Sequence, residues 1–153
     1  MKSICSSYSY KVVVIIARFN YFISKTILKS VVNTIKLIAA IYNKPIDILW
    51  VSGSNEMQLI VNSLLYNKRH NIIIPIGTII RGDTIHFKTV VSNCNLSYNN
   101  ITINNKLSIT SGMLITDNID QAIERTDPKA GYKGAESIVT ILELVNIMTS
   151  SYI

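Results

Sequence analysis

The 153-residue sequence is poor in charged side chains and in cysteine, and each shortage excludes a class of protein. Only 16% of the residues are charged whereas 48% are apolar. A soluble monomer would then have a surface short of charge, so burial between subunits is expected. The two cysteines, Cys5 and Cys94, form no CxxC pair and have no histidine or aspartate at metal-ligand spacing. They are interpreted as reduced thiols of a cytoplasmic protein, and no metal site is predicted.

Long apolar runs and nucleotide-binding motifs are missing as well. No run approaches the ~20 residues that a transmembrane helix needs, so no membrane association is expected. The apolar segment between Lys11 and Arg18 is too short for a signal peptide. Neither a GxGxxG nor a Walker motif is present, which disfavours dinucleotides and nucleoside triphosphates. The net charge of +6 suits an anionic ligand, but the basic residues are scattered and not interleaved with aromatics, so no nucleic-acid partner is predicted.

What the sequence does contain is a regular alternation of β-branched runs and amphipathic segments. Strands are predicted at Tyr10–Ala17, Ile46–Val51, the isoleucine-rich run between Asn71 and Gly82, and Ile109–Ile115. Helical periodicity follows each strand, and the last helix is predicted from about Ala135 to Met148. This order predicts an α/β protein, a three-layer α/β/α sandwich around a four-stranded parallel sheet, flavodoxin-like. Residues 1–153 are expected to form a single domain.

The helix ends carry their own signals. Ser24 is predicted to cap the first helix, and Asn118, with Gln121 three residues later, to cap the helix after the fourth strand. The segment 92–106 is rich in asparagine and serine. Because these are poor helix formers, the helix after the third strand has little support there.

Proline and glycine mark two further places. Pro75 lies inside the third strand, where it removes a ladder hydrogen bond and predicts either a local bulge or a weaker sheet. Gly131 and Gly134 are predicted to loosen the turn before the last helix.

The stretch Ile72–Phe87 contains the best candidate for a binding site. Ligands of open α/β sheets bind outside the carboxyl ends of the strands, and here the strand ends in an Arg-Gly-Asp-Thr turn. Asp83 or Thr84 is predicted to cap the helix that follows, whose free N–H groups attract anions. Arg81 and His86 flank this turn. An anionic substrate and a group able to transfer protons near neutral pH can therefore share one corner.

Polar or glycine-bearing loops end the other predicted strands too. They are Phe19-Asn20, the segment 53–56 (Gly-Ser-Asn-Glu) and Thr116-Asp117. Because the carboxyl ends of parallel strands meet at one edge of a sheet, an aromatic face, a carboxylate, an anion-binding turn and a histidine would line one cleft. The alternative is that these residues simply end the strands, since glycine, serine and asparagine do so in most α/β proteins.

Four segments together resemble the 6,7-dimethyl-8-ribityllumazine synthase family, which catalyses the penultimate step of riboflavin biosynthesis. The segments are 16–20 (IARFN), 50–56 (WVSGSNE), 77–87 (GTIIRGDTIHF) and 117–136 (DNIDQAIERTDPKAGYKGAE). The resemblance covers essentially the whole chain. It implies a transferase that condenses 5-amino-6-ribitylaminouracil with 3,4-dihydroxy-2-butanone 4-phosphate, releasing phosphate and water, without metal or cofactor.

The resemblance also implies roles for individual residues. His86 would be the catalytic residue and would shuttle protons. The N–H groups of Asp83 and Thr84 would bind the phosphate, and Arg125 would pair with it. The pyrimidine and its ribityl chain would be held by a larger set: Phe19, Ser54, Asn55, Glu56, Thr78, Ile79, Ile80, Ser111 and Lys133. Of these, Phe19 would stack on the ring.

A homo-oligomer is implied by the same resemblance. The cleft would lie between neighbouring subunits of a pentamer, and the neighbour would supply the arginine-bearing helix. The segment 126–134 carries no insertion, which favours a shell of twelve pentamers over a lone pentamer. An association with riboflavin synthase is left open.

The sequence departs from the family pattern at a few positions. The family usually has proline where Ser52 stands, an aromatic where Asn55 stands, and phenylalanine where Ser111 stands. Losing an aromatic wall predicts weaker pyrimidine binding. Two alternatives therefore stay open beside the active enzyme: a catalytically impaired, shell-forming protein, and a flavodoxin-like module that binds a flavin or a phosphorylated ligand.

Overall fold

The computed structural model describes residues 11–38, 45–67, 69–105, 108–127 and 132–149. Cys5, Tyr10 and Gly131, which appear in the predictions above, lie outside these ranges, as does residue 106, the last of the segment rich in asparagine and serine. The strands are β1 (Val12–Ala17), β2 (Ile46–Val51), β3 (Ile72–Ile80), β4 (Ser108–Ile109) and β5 (Gly112–Thr116). The helices are α1 (Tyr21–Ile38), α2 (Met57–Asn67), α3 (His86–Asn105), α4 (Ile119–Thr126) and α5 (Lys133–Thr149).

All neighbouring strands of the sheet are parallel. The order is β2-β1-β3, and then β4 and β5, which both pair with β3. β4 lies along the start of β3 and β5 along its end, so the two fill one strand position. The predicted four-stranded parallel sheet is therefore confirmed, with its fourth strand broken in two. Residues 72–79 of the central β3 are all buried, whereas residues 47–49 of the edge strand β2 are exposed.

Helices cover both faces of the sheet. α1, α4 and α5 pack on one face, where Ile27, Ala122 and Ile141 belong to one buried apolar cluster. α2 and α3 pack on the other face, where Met57 and Tyr98 belong to a second cluster. The three-layer, flavodoxin-like fold class is thus confirmed. Among the described residues, no helix combines the length and the apolarity that crossing a membrane requires.

The break between β4 and β5 covers residues 110–111 and lies opposite Pro75. The Thr110 N–H donates to the Ile73 carbonyl at 3.3 Å, so Ile73 directs its backbone groups toward this side of β3. Backbone direction alternates along a strand, and Pro75, two residues on, faces the same way without an N–H to donate. Pairing with β1 continues through Ile15. Ile73 pairs with Ile109 and Ile76 with Gly112, so the register is the same on both sides of the break and no extra residue forms a bulge. Of the two predicted alternatives, the interrupted pairing beside Pro75 agrees with the weaker sheet.

The first helix begins three residues before its predicted cap. α1 starts at Tyr21, and Asn20, directly before it, has a φ of 55°. Asparagine tolerates this left-handed conformation better than most residues. Its carbonyl accepts the N–H of Ile23 at 3.1 Å. Ser24 lies buried inside the helix with its Oγ 3.4 Å from the Thr78 Oγ1, so the prediction that it caps the helix was wrong.

The segment rich in asparagine is helical. α3 extends to Asn105, although its second half is poor in good helix formers. Cys94, Tyr98 and Ile101 recur at helical spacing and are buried against the sheet. The burial of this stripe outweighs the low intrinsic propensity, as is common for helices packed in a protein.

Of two predictions about the C-terminal helices, one is confirmed and one is wrong. Asn118 caps α4, since its Oδ1 accepts the N–H of Gln121 at 2.9 Å. Gly134 does not loosen a turn but lies in the first turn of α5. A Cβ there would lie 2.6 Å from the Ile27 carbonyl oxygen and 2.7 Å from the Ser30 Cβ. Gly134 therefore allows α5 to cross close to α1.

Candidate active site

The loops that follow β1, β2 and β3 surround one open cleft of about 460 Å³ at the carboxyl edge of the sheet. Small-molecule sites typically enclose ~300–1,000 Å³. Most of the residues predicted to bind substrate line this cleft: Phe19, Ser54, Asn55, Glu56, Thr78, Ile79, Ile80, Thr84 and His86. The lining is completed by Ser52, Gly53, Gly82, Phe87 and Val90. The convergence expected from a parallel sheet is therefore observed for three of its strand ends.

The floor of the cleft is the end of β3, which extends beyond β1. The last pair between these strands joins Ile16 to Ile76, whereas β3 continues to Ile80, where it still pairs with β5. The backbone of residues 78–80 is therefore no longer covered by β1. It can offer N–H and C=O groups to the edge of a planar ligand, which is the role that the resemblance implies.

Phe19 forms one wall. The turn that carries it is tied to the end of β2, because the Arg18 N–H donates to the Val51 carbonyl at 2.8 Å and the Phe19 N–H to the Ser52 carbonyl at 3.2 Å. The phenyl side chain is nevertheless 70% exposed. A rigidly anchored aromatic residue that presents its side chain to a cleft is suited to stacking on a ring system.

The loop after β2 brings a hydroxyl and a carboxylate to the opposite wall. Ser54 is buried, and its carbonyl accepts the Cys94 thiol at 3.6 Å from α3. Burial raises the pKa of the Cys94 thiol, and the negative charge of Glu56 raises it further, although a hydrogen bond from Gln58 lowers it. The thiol is therefore a neutral donor beneath the loop. A Cβ at Gly53 would lie 2.8 Å from the Glu56 Oε2, so glycine leaves room for this carboxylate.

The turn between β3 and α3, which is predicted to bind an anion, lies at one corner of the cleft. Gly82 and Thr84 line it, and Asp83 between them is exposed. α3 begins only at His86, preceded by Ile85, and within the described residues the side chains of Asp83 and Thr84 make no hydrogen bond. The prediction that one of them caps the helix was therefore wrong. Their backbone lies before the first helical turn, where N–H groups are available to an anion.

His86 is the first residue of α3 and presents an exposed imidazole to the cleft. Phe87 beside it and Val90, one helical turn later, also line the cleft, although sequence reasoning did not assign them to the site. The missed signal was the helix start, since a helix that begins at His86 places Val90 on the same face. Within the described residues, no three histidine, cysteine, aspartate or glutamate side chains cluster so as to hold a metal ion.

The remaining predicted residues lie outside the cleft of the single chain. Asp83 only borders it, Ser111 lies in the break of the fourth strand with its Oγ accepting the Met113 N–H at 3.2 Å, and Arg125 is exposed on α4. The Lys133 Nζ lies 3.2 Å from the Glu136 carboxylate at the start of α5.

Arg81, which sequence reasoning placed beside the anion, does not line the cleft. Its guanidinium instead lies 3.4 Å from the Asp117 carboxylate, across the ends of β3 and β5. The Arg81 N–H also donates to the Thr116 carbonyl at 2.9 Å and so extends the ladder between these strands. Arg81 therefore joins two strands at the edge of the site.

The fold and the cleft together define a flavodoxin-like α/β protein with an open cleft at the carboxyl edge of its parallel sheet, where a histidine, a carboxylate and the turn predicted to bind an anion meet. The model of the family described as 6,7-dimethyl-8-ribityllumazine synthase matches residues 9–149.

Curated relatives with that name are similar over nearly the whole chain. The one from Blochmanniella pennsylvanica is 40% identical over 90% of this chain and 87% of its own length. The one from Blochmanniella floridana is 38% identical over the same shares, and the one from Edwardsiella ictaluri is 36% identical over 90% of this chain and 88% of its own. The chain belongs to the 6,7-dimethyl-8-ribityllumazine synthase family.

Proposed function

We propose that the chain is a transferase that condenses 5-amino-6-ribitylaminouracil with 3,4-dihydroxy-2-butanone 4-phosphate to 6,7-dimethyl-8-ribityllumazine. The observation that carries the proposal is the cleft itself. It brings Phe19, Glu56, Thr84 and His86 together in a chain that matches the family over residues 9–149. A catalytically impaired protein or a mere binding module is not favoured, because the family model covers residues 9–149 and because His86 and Thr84, the residues proposed for proton transfer and phosphate binding, both line the cleft.

Each half of the cleft suits one substrate. The pyrimidine would stack on Phe19 with its edge along the backbone of residues 78–80, while Ser54 and Glu56 accept the hydroxyls of the ribityl chain. The phosphate would lie at the turn that contains Thr84, where free backbone N–H groups attract an anion.

His86, which lines the same cleft, would move the protons of the reaction. The amine of the pyrimidine attacks the ketone and the adduct loses water to give an imine, phosphate is eliminated, and ring closure with loss of a second water gives the product. Each step moves a proton, and an imidazole can accept and return one near neutral pH. Holding both substrates next to each other in the orientation for reaction would supply much of the rate acceleration. The proposed reaction needs no metal or cofactor.

The same proposal includes a homo-oligomer, a pentamer and a shell of twelve pentamers, in which a neighbour supplies Arg125. Two features of the single chain support it. Arg125 lies on α4, outside the cleft of its own chain, and apolar side chains are exposed in the cleft and near it: Phe19, which lines it, at 70%, Phe22 at the start of α1 at 77%, and Ile85 directly before α3 at 80%. Such exposure is expected of a surface that a second subunit covers. The single domain of residues 1–153, the cytoplasmic location and the association with riboflavin synthase stay predictions.

The direct test of the reaction is to mix the purified protein with both substrates and to follow the absorbance and fluorescence of the lumazine. The expected result is product formation that requires both substrates and releases phosphate in equal amount. A folded protein that binds the pyrimidine but forms no lumazine would contradict the proposed enzyme and favour the binding module.

The shared cleft is tested by subunit complementation. His86→Ala and Arg125→Ala variants are each expected to be nearly inactive alone. Co-expression creates mixed oligomers in which some clefts combine an intact His86 from one subunit with an intact Arg125 from its neighbour. Recovery of activity in the mixture is therefore expected. If Arg125 acted within its own chain, every cleft would lack one group, and the mixture would be as inactive as the two variants.

A further inference from the structure

Asn20 joins the aromatic wall of the cleft to its floor, a role that nothing in the family-derived site assigns to it. The residue directly follows Phe19, and its Nδ2 donates to the Thr78 carbonyl at 2.9 Å. The side chain can reach that carbonyl from a backbone with a φ of 55°, a conformation that few residues other than glycine and asparagine adopt readily. One residue thus meets both a backbone and a side-chain requirement.

The Thr78 carbonyl lies where β3 has lost its neighbour. β1 is paired with β3 only as far as Ile76, so beyond that point the Asn20 amide takes the place of a strand donor. The Thr78 carbonyl and the Ile79 N–H belong to one planar peptide unit, and fixing the first also fixes the second. The Thr78 side chain is held separately from the helix side, where the Ser24 Oγ lies 3.4 Å from the Thr78 Oγ1.

Asn20 also completes the anchoring of Phe19. Backbone hydrogen bonds from Arg18 and Phe19 tie the turn to the end of β2, and the Asn20 side chain ties it to β3. Without the Asn20 amide, the turn would be held on one side only. The Phe19 wall and the floor at residues 78–80 could then move relative to each other.

We propose that Asn20 is a positioning residue for the pyrimidine half of the cleft: its amide fixes the Thr78 peptide and holds the Phe19 ring over it. This inference rests on the proposed function, because it assumes that a planar pyrimidine lies between that ring and that peptide. Asn20 itself touches no substrate. It leaves the anion turn, which lies at the other end of the floor, unaffected.

The test compares three variants with the wild-type oligomer. Asn20→Asp keeps the shape and tolerates the left-handed backbone but removes the donor, and Asn20→Gly keeps the backbone and removes the whole side chain. Asn33→Asp makes the same chemical change at an exposed position of α1 and serves as the matched control. Calorimetric titrations measure the binding of 5-amino-6-ribitylaminouracil alone and of inorganic phosphate alone, and steady-state kinetics give KM for each substrate and kcat.

Both Asn20 variants are expected to bind the pyrimidine about tenfold more weakly, in line with the loss of one partly buried hydrogen bond. Phosphate affinity and kcat should stay within about twofold of wild type, and Asn33→Asp should match wild type in every measurement. A general structural defect would instead weaken both ligands. Wild-type pyrimidine affinity in a folded Asn20→Asp, or equal losses for both ligands, would overturn the proposal. Should Asn20→Asp not fold, Asn20→Gly decides alone.

The titrations also separate this inference from the proposed function. If the wild type binds the pyrimidine but makes no lumazine, the enzyme proposal fails, while the comparison of affinities still decides the role of Asn20. If the wild type binds no pyrimidine at all, both proposals are overturned together.

Discussion

The close crossing of α5 over α1 predicts that Gly134→Ala destabilises the protein, although alanine is the better helix former. The added methyl group would lie 2.6 Å from the Ile27 carbonyl oxygen and 2.7 Å from the Ser30 Cβ, whereas ordinary contact begins at 3.4 Å. The first of these atoms belongs to the backbone of α1 and cannot rotate away. α5 would therefore have to move by most of an ångström.

The expected loss in the free energy of unfolding is the difference between two opposing contributions. Overpacking a close contact costs about 1–3 kcal/mol, and replacing glycine by alanine inside a helix returns at most about 1 kcal/mol, less in the first turn. The net loss should be about 1–2 kcal/mol. For a chain of this length, that loss lowers Tm by about 3–6 °C.

Thermal unfolding followed by circular dichroism measures the difference in Tm between Gly134→Ala and wild type. The protomer concentration must be equal in all samples, because assembly is linked to folding. Gly82→Ala is the matched control, since a Cβ there would meet no atom within 4 Å and no described glycine has a positive φ. Its Tm should equal or slightly exceed that of wild type. If Gly134→Ala melts at or above the wild-type temperature, the close approach of α5 to α1 is not a constraint and the reasoning fails.

Three further predictions concern the cleft and its surroundings. His86→Ala should lower kcat more than it raises either KM, because the imidazole is assigned to proton transfer; an unchanged kcat would remove His86 from the mechanism. Arg125→Ala should raise KM for the butanone phosphate far more than KM for the pyrimidine, and equal increases would contradict its assignment. In a Cys5→Ser background, the buried Cys94 with its raised pKa should resist iodoacetamide at about pH 9 until denaturant is added. The stabilisation by the neutral Cys94 thiol should be complete below the ordinary thiol pKa and should decline as the pH rises toward the raised pKa. The Cys94→Ala variant should lack that decline. Rapid labelling of native Cys94 by iodoacetamide would refute the argument from burial.

Much of the fold could be predicted because its signals are local. The β-branched run of β3 and the cap of α4 at Asn118 each lie within a few consecutive residues. The errors arose where distant contacts decide. Ser24 is a good cap by type, but its hydroxyl meets Thr78, 54 residues away. In α3, low helix propensity is outweighed by the burial of Cys94 and Tyr98 against the sheet, which a local pattern does not report.

The residues of the candidate site likewise fall into those that local patterns could predict and those that depend on distant contacts. Residues directly after a strand, such as Phe19 and Glu56, could be placed in one cleft because parallel strand ends meet at one edge. Ser111, Arg125 and Lys133 were assigned by resemblance alone, and they lie outside the cleft of the single chain, so their proposed roles depend on a second subunit. The link from Asn20 to Thr78 could not be predicted, because it requires both a left-handed backbone and the exact ends of β1 and β3.

The edge strand β2 has a consequence for how the protein must be handled. Its outer side has no partner strand among the described residues, and Ile48 and Leu49 are about 40% exposed. Asp47 is its only charged residue, and that carboxylate lies 2.7 Å from the His70 Nε2. An unpaired, largely apolar edge strand of this kind can form hydrogen bonds with a strand of another chain and so start aggregation. In newly synthesised or refolded protomers, native assembly therefore competes with aggregation through this strand. Refolding at low protein concentration should favour the soluble protein.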